Sequence, residues 1–383
     1  MESGDATPCL LGNFVLDDTV SRMKLYNPSI LIKQPKIPLA FAWPADDRRA
    51  AVGNLDVPVI DLSGFRHGDE AAARRAAEHV RAACREHGFF QVINHGVDTE
   101  IYVAAINAIN GLFDLPFDRK VEAGQRKGRI KGYAVGHSDR FSVKLPWKET
   151  FTFVHGFKGD EAGAVERYFQ SALGPDFQQT GRIYQSYCEA MKELSLVIAE
   201  LLGMSLAGDR KWYREFFEDG KAIARCNYYP PCKEAELTLG TGPHADPNAF
   251  TILQQDEVSG LDVFTGGRWS SVRPVAGALI INVGDTFEAL SNGEYKSCLH
   301  RAVVNPDKER RSIAYFVSPR HDKVIRPPPE LIAGGDGDGD GNGDHRKFPD
   351  FTWLQLLEFT QAHHRVDGET LRCFVDYLRR AGG

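Results

Sequence analysis

Hydrophobic and polar positions change their period along this chain, and the changes mark its elements. "LDVPVIDLSGF" (55–65) holds a short apolar run closed by glycine and predicts a strand. "DEAAARRAAEHVRAACREHG" (69–88) is rich in helix formers and ends on Gly88, so a helix with a glycine stop is expected. "FFQVINHG" (89–96) reads as a buried strand, and more helix runs to residue 122. Strand, helix, strand in this order makes a compact α/β opening. Residues 123–165 carry glycines and basic residues and read as irregular; they include "LPWKETFTF" (145–153). Residues 175–220 read as long amphipathic helix, with apolar residues at helical spacing in "YCEAMKELSLVIAELLGMSL".

From residue 221 the period shortens. Apolar runs in "AIARCNYYPPC", "FTILQQD", "GLDVFTGGRWSSV", "GALIINVGDT", "YKSCLHRAVVN" and "RRSIAYFVSP" alternate with Gly, Pro and Asn turns. Close, regular strands of this kind predict a sandwich, jelly roll or barrel. Asn292-Gly293 in "SNGE" is the dipeptide favoured in a two-residue hairpin turn. "GGDGDGDGNGD" (334–344) imitates the start of a calcium loop, but Lys347 stands where a bidentate Glu is needed, so a flexible linker is expected. The organisation expected is an arm (1–55), an α/β and helical region (56–219), a β core (220–325), a Gly/Asp loop (326–347) and closing helices (348–383).

Composition narrows the function. The 383 residues are 42% hydrophobic and include 23 Phe, which suits a thick core or a large apolar pocket. A formal charge of −6 opposes non-specific nucleic-acid binding, which needs a basic face. No secretory signal and no run of about 18 apolar residues is seen, so no membrane span is expected. The seven cysteines are scattered without a CxxC pair and fit reduced thiols in the cytoplasm.

The candidate chemistry lies in the β region. His244 and Asp246 in "GPHADP" are two apart, so in an extended chain both point to one side. Such a pair is weak alone. His300 in "YKSCLHRAVV" adds a third donor, and two His with one carboxylate match the facial triad of non-haem Fe(II) oxygenases. Arg310 and Ser312 in "RRSIAYF" also alternate; a guanidinium beside a hydroxyl is a receptor for a carboxylate. Arg225, Asn227 and Tyr229 in "RCNYYPPC" share a face in the same way. His87 and His95 have no carboxylate nearby and read as structural, and the adjacent His363 and His364 face different directions.

Together these residues resemble the plant-type 2-oxoglutarate- and Fe(II)-dependent dioxygenases over most of the chain. "VPVIDL" and "HGFFQVINHGV" are similar to that family's N-terminal region. "NYYPPC", "HADPNAFTILQQD", "GALIINVGD", "SNGEYKSCLHRAVVN" and "RRSIAYF" are similar to its catalytic core. Within the family, "LPWKET" (145–150), "TLGTGPH" (238–244) and "FPDFTW" (348–353) most resemble gibberellin 20-oxidases; the Gly/Asp run departs from the pattern and lengthens a loop.

The resemblance implies a mainly β fold with helical decoration, a distorted double-stranded β-helix or jelly roll flanked by α-helices. It implies Fe(II) held by His244, Asp246 and His300, and 2-oxoglutarate held by Arg310, Ser312 and Tyr229 with Asn227 near the metal end. Ascorbate is the expected reductant, and dioxygen and a gibberellin, a diterpenoid carboxylic acid, the expected substrates. Arg225 and then Lys148 are the candidate anchors of the substrate carboxylate, with Phe316, Trp147 and Tyr133 as candidate packing partners. The expected reaction removes carbon 20 of a gibberellin precursor by successive oxidations. The rival readings are another gibberellin oxidase, a flavonoid-type oxidase, or a jelly-roll binding protein without turnover; the last is opposed by the presence of all five polar residues at the required spacing.

Overall fold

The computed structural model describes residues 26–124, 130–135, 144–159, 162–207, 210–333, 346–363 and 367–381. The first strands are β1 (Val59–Asp61), β2 (Phe89–Ile93), β3 (Gly132–Val135), β4 (Glu149–Gly156) and β5 (Lys221–Tyr229). Then come β6 (Thr241–His244), β7 (Phe250–Gln255), β8 (Leu261–Thr265), β9 (Arg268–Val272) and β10 (Leu279–Val283). The last are β11 (His300–Ala302), β12 (Arg310–Ser318), β13 (Val324–Ile325) and β14 (Phe351–Thr352). An eight-stranded sheet has the order β1-β2-β10-β7-β12-β5-β4-β3, and a four-stranded sheet the order β6-β11-β8-β9. All pairings in both are antiparallel except β1 with β2. Side chains of the two sheets meet across one pocket. This is the expected jelly-roll core with helices around it.

Helices cover the outer face of the large sheet for reasons visible in their sequences. Helix Glu70–Glu86 starts where the Asp69 carboxylate accepts from the amides of Ala71 and Ala72. It buries Ala73, Ala76, Ala77, Val80, Ala83 and Cys84, a 3-4-3-4 stripe. It stops at Gly88, whose φ is +74°; a Cβ there would stand 2.1 Å from the Lys296 carbonyl oxygen. The predicted long helix is Gln178–Ala207, followed separately by Lys211–Phe217. It seats Tyr184 against Phe153 of β4 and Phe169, with ring centroids 5.2 Å apart in each pair.

Two expectations need correction. The stretch 123–165 is not irregular throughout, because β3 and β4 lie within it and β4 is flanked on both sides by other strands. Its alternation is plain afterwards: Phe151 and Phe153 pack under the helices while Thr150 and Thr152 occupy the other face. Asn292-Gly293 adopts left-handed φ values of 53° and 74°, but it ends helix Asp285–Leu290 instead of joining two strands. The described part of the arm packs on the core: Phe41 and Trp43 are buried, and the Arg301 guanidinium donates to the carbonyls of Asp47 (2.7 Å) and Arg49 (2.6 Å). The large sheet also crosses the expected division near residue 220, taking β1–β4 from one side and β5, β7, β10 and β12 from the other. Helices Trp353–Ala362 and Thr370–Ala381 close the chain. The expected Gly/Asp linker at 334–344 lies outside the described residues.

Candidate metal and co-substrate site

His244 ends β6, and His300 opens β11. Antiparallel pairing sets them directly opposite each other, with ring centroids 4.2 Å apart. Asp246 follows β6 in the turn into β7. Its Oδ1 lies 3.6 Å from His244 Nε2 and 3.8 Å from His300 Nε2. One donor atom from each of the three residues falls within 4.8 Å of the others.

The hydrogen bonds turn these donors toward one point. His244 Nδ1 is 2.9 Å from the Gly242 carbonyl and His300 Nδ1 is 3.3 Å from the Cys298 carbonyl. A carbonyl can only accept, so each ring carries its proton on Nδ1 and presents the Nε2 lone pair inward. Asp246 Oδ2 accepts from Thr251 Oγ1 (2.7 Å) and Asn282 Nδ2 (3.0 Å), whereas buried Oδ1 accepts no hydrogen bond. A buried carboxylate oxygen in that condition costs free energy unless a cation meets it. Burial alone would raise the Asp246 pKa, but the imidazoles and the two hydrogen bonds from Asn282 and Thr251 outweigh it and bring it to about 2. Burial, reinforced by His300, holds the His244 imidazole well below its usual range and hence neutral. Two imidazole nitrogens and one carboxylate oxygen suit Fe(II).

The pocket continues along β5 and β12. Their register sets Arg310 opposite Tyr229 and Ser312 opposite Asn227. Arg310 is buried, with its guanidinium carbon 5.0 Å from the Tyr229 ring centroid. Its Nη2 donates to Gln255 Oε1 at 2.7 Å, and its Nε has no hydrogen-bond partner. Asn227 Nδ2 lies 3.3 Å from Ser312 Oγ. Gly240 permits this packing, since a Cβ there would stand 2.5 Å from Tyr229 Cδ1. Lys148 enters the same pocket from the residue before β4 and donates to Thr241 Oγ1 at 2.9 Å.

Arg225 and Phe316 occupy the other end of the pocket, the guanidinium 5.4 Å from the ring. A second cavity of about 820 Å³ is lined by Val154, Ile223, Lys221, Ser318, Trp353 and Leu357, and by Tyr168, Ser171 and Ala172 of a covering helix. Ile223 is the cross-strand neighbour of Phe316, so cavity and pocket adjoin.

The structure thus brings together ten of the twelve candidate residues. Trp147 and Tyr133 do not line the pocket. Trp147 packs beside the arm with Leu31, Phe41, Cys232 and Val304. Tyr133 donates to Glu149 Oε2 (2.6 Å), which also accepts from Lys120 Nζ (2.5 Å), on the opposite face of β4. Alternation explains this: in "WKET", Lys148 and Thr150 face inward while Trp147 and Glu149 face away. Sequence reasoning missed Thr251, Asn282, Thr241 and Gln255. Asn282 left a signal, as the one polar residue inside the buried run "LIINV". Gln255 left none, because only the register places it across from Ser312.

Comparison with known proteins agrees with this geometry. Residues 220–319 match the 2OG-Fe(II) oxygenase superfamily, and residues 57–175 match the N-terminal region described as non-haem dioxygenase in morphine synthesis. Gibberellin 20 oxidase 2 of Oryza sativa subsp. japonica is 54% identical over 348 residues, covering 90% of this chain and 86% of that protein. Gibberellin 20 oxidase 1 of Arabidopsis thaliana is 47% identical, covering 93% and 92%. Among solved structures, JOX2 in complex with 2OG, Fe and JA superposes with a TM-score of 0.77 at 29% identity, covering 91% of this chain and 97% of that one. The rice dioxygenase for auxin oxidation gives 0.65 at 27%, covering 83% and 99%.

Proposed function

The chain belongs to the 2OG-Fe(II) oxygenase superfamily, and from that premise we propose that it is a gibberellin 20-oxidase. As a 2-oxoglutarate-dependent dioxygenase it uses Fe(II), 2-oxoglutarate and dioxygen. In this reading His244 Nε2, Asp246 Oδ1 and His300 Nε2 hold the metal. The observation that carries the assignment is the buried Asp246 Oδ1, left without a hydrogen bond between two imidazoles while Oδ2 is doubly bonded. When bound, the iron couples dioxygen reduction to conversion of 2-oxoglutarate into succinate and carbon dioxide, and supplies the oxidising power for the substrate.

The chain's own residues bind and orient. Arg310, Ser312 and Tyr229 take the distal carboxylate of 2-oxoglutarate, and Asn227 lies beside them toward the metal. The pocket around the triad is small, about 90 Å³, whereas the adjoining cavity of about 820 Å³ lies in the range of ordinary ligand sites. The ring skeleton of a diterpenoid therefore belongs in the cavity, with its reactive carbon reaching past Phe316. Arg225, at the seam, is positioned to anchor the substrate carboxylate. Successive turnovers would take the angular methyl through alcohol and aldehyde to loss of that carbon. The relatives' printed activities and the resemblance of "LPWKET" and "TLGTGPH" to gibberellin 20-oxidases support this substrate. No helix among the described residues is long and apolar enough to cross a membrane. The six described cysteines form no disulfide with one another, which supports a cytoplasmic setting.

The test is turnover by purified protein with Fe(II), ascorbate, 2-oxoglutarate and a panel of gibberellin precursors, read by mass spectrometry. Loss of one carbon from a methyl-bearing precursor, with succinate formed alongside, is the expected result. Hydroxylated product without carbon loss would move the assignment to another gibberellin oxidase. No succinate with any precursor would refute the gibberellin reading.

A further inference from the structure

The stretches "LPWKET" and "TLGTGPH" lie some ninety residues apart in sequence, yet the fold lays them side by side. The Trp147 amide donates to the Leu239 carbonyl at 2.8 Å, and one residue later the Lys148 side chain reaches Thr241. Lys148 is buried in the pocket wall. Its position shows which ligand it serves. Lys148 Nζ lies 5.9 Å from the centroid of the Tyr229 ring, the ring that Arg310 also approaches, at 5.0 Å. It lies 3.5 Å from Asn227 Oδ1, and the amide nitrogen of the same Asn227 points to Ser312 Oγ at 3.3 Å. Lys148, Asn227 and Ser312 therefore form one polar run along the wall that ends at Arg310.

Arg225 belongs elsewhere. It precedes Tyr229 by four residues on β5, about 13 Å along an extended strand, and stacks on Phe316 beside the large cavity. Of the pocket's cations, Arg301 is paired with Asp262, and Lys148 and Arg225 lie toward opposite ends.

We infer that Lys148 is a co-substrate residue: with Arg310 it supplies the second positive charge of the wall that binds 2-oxoglutarate, and Thr241 and Asn227 position it there. This differs from a role as anchor of the substrate carboxylate, which falls to Arg225 alone. The inference rests on the 2-oxoglutarate dependence of the chain and needs no particular gibberellin. A dicarboxylate gains from two fixed cations because each carboxylate can meet a charge-assisted hydrogen bond.

The experiment uses the full chain loaded with Mn(II) in place of iron, so that nothing turns over, and titrates 2-oxoglutarate by calorimetry. Lys148→Met keeps the length and removes the charge; it is expected to raise the Kd for 2-oxoglutarate about tenfold or more, and Lys148→Arg less. Arg225→Met should leave that Kd within about twofold of wild type. In turnover at saturating 2-oxoglutarate, Lys148→Met should leave the KM for the accepted precursor within about twofold, and Arg225→Met should raise it. A Lys148→Met Kd within about twofold of wild type would overturn the inference, as would an Arg225→Met loss equal to it. If Lys148→Met fails to fold, Thr241→Val decides. It leaves the charge and removes the nearer of the two acceptors named above, so an unchanged Kd for 2-oxoglutarate would overturn the positioning of Lys148 by Thr241. Wild-type protein that binds 2-oxoglutarate yet turns over no gibberellin precursor would sink the substrate reading and leave this inference standing.

Discussion

Thr251→Val is the sharpest probe of how the metal site is organised. The substitution is nearly isosteric, and valine suits a strand as well as threonine does. It deletes a single contact to the carboxylate, the 2.7 Å hydrogen bond from Thr251 Oγ1 to Asp246 Oδ2. Asn282 Nδ2 still donates to the same oxygen at 3.0 Å. Asn248 Nδ2 loses Thr251 Oγ1 as an acceptor at 3.2 Å but keeps the Phe250 carbonyl at 2.8 Å. A hydrogen bond to a charged group contributes about 1.5–3 kcal/mol. An orienting partner of a metal ligand is independently worth about 10–100-fold in affinity, which is roughly 1.4–2.8 kcal/mol. The two routes agree because the threonine fixes which carboxylate oxygen faces the imidazoles. The expected result is metal affinity weaker by about tenfold or more, measured by Co(II) or Mn(II) titration without 2-oxoglutarate, in a protein whose circular dichroism is unchanged. Asn282→Leu should behave alike, and the double variant should lose less than the sum, since both partners hold one oxygen. A Thr251→Val protein that binds metal within about twofold of wild type would refute this account of how Asp246 is oriented.

Two further predictions concern stability. Arg301 and Asp262 form a buried ion pair at 2.9 Å, so Arg301→Met leaves an unpaired buried carboxylate and should cost about 3–5 kcal/mol in urea unfolding; adding Asp262→Leu should restore part of the loss. His87 and His95 each accept a backbone amide at Nδ1, from Phe89 and Val97 at 3.2 Å, and each faces a carbonyl with Nε2. Burial lowers both pKa values below the usual 6.5, so the unfolded chain takes up protons first as pH falls. Their contribution is complete above that pH and is lost as pH falls toward the folded values. Urea midpoints should therefore drop below pH 6.5, less steeply in His87→Asn, and an identical slope in the variant would count against the assignment.

The chain's own pattern was enough to place most of its chemistry on or beside strands. Period-two spacing aligned Arg310 with Ser312 and Asn227 with Tyr229, and a two-residue step joined His244 to Asp246. These are local relations, set by the alternation of side chains along an extended backbone, and they survive whatever the rest of the fold does. The same alternation, had it been applied to "WKETFTF", would have separated Lys148 from Trp147 and found β4. What tertiary structure alone decided is everything that depends on register and on facing elements. Pairing of β6 with β11 brought His300 to His244 across more than fifty residues of sequence. Pairing of β7 and β10 put Thr251 opposite Asn282, and so two donors on one carboxylate oxygen. Alternation turned Trp147 away from the pocket, but packing chose the arm as its partner, took Tyr133 to a buried ion pair and divided Lys148 from Arg225 between the two ends of one pocket. The physical reason is that alternation along a strand names the face a residue occupies, whereas the neighbour it meets there is chosen by hydrogen-bond register between segments distant in the chain.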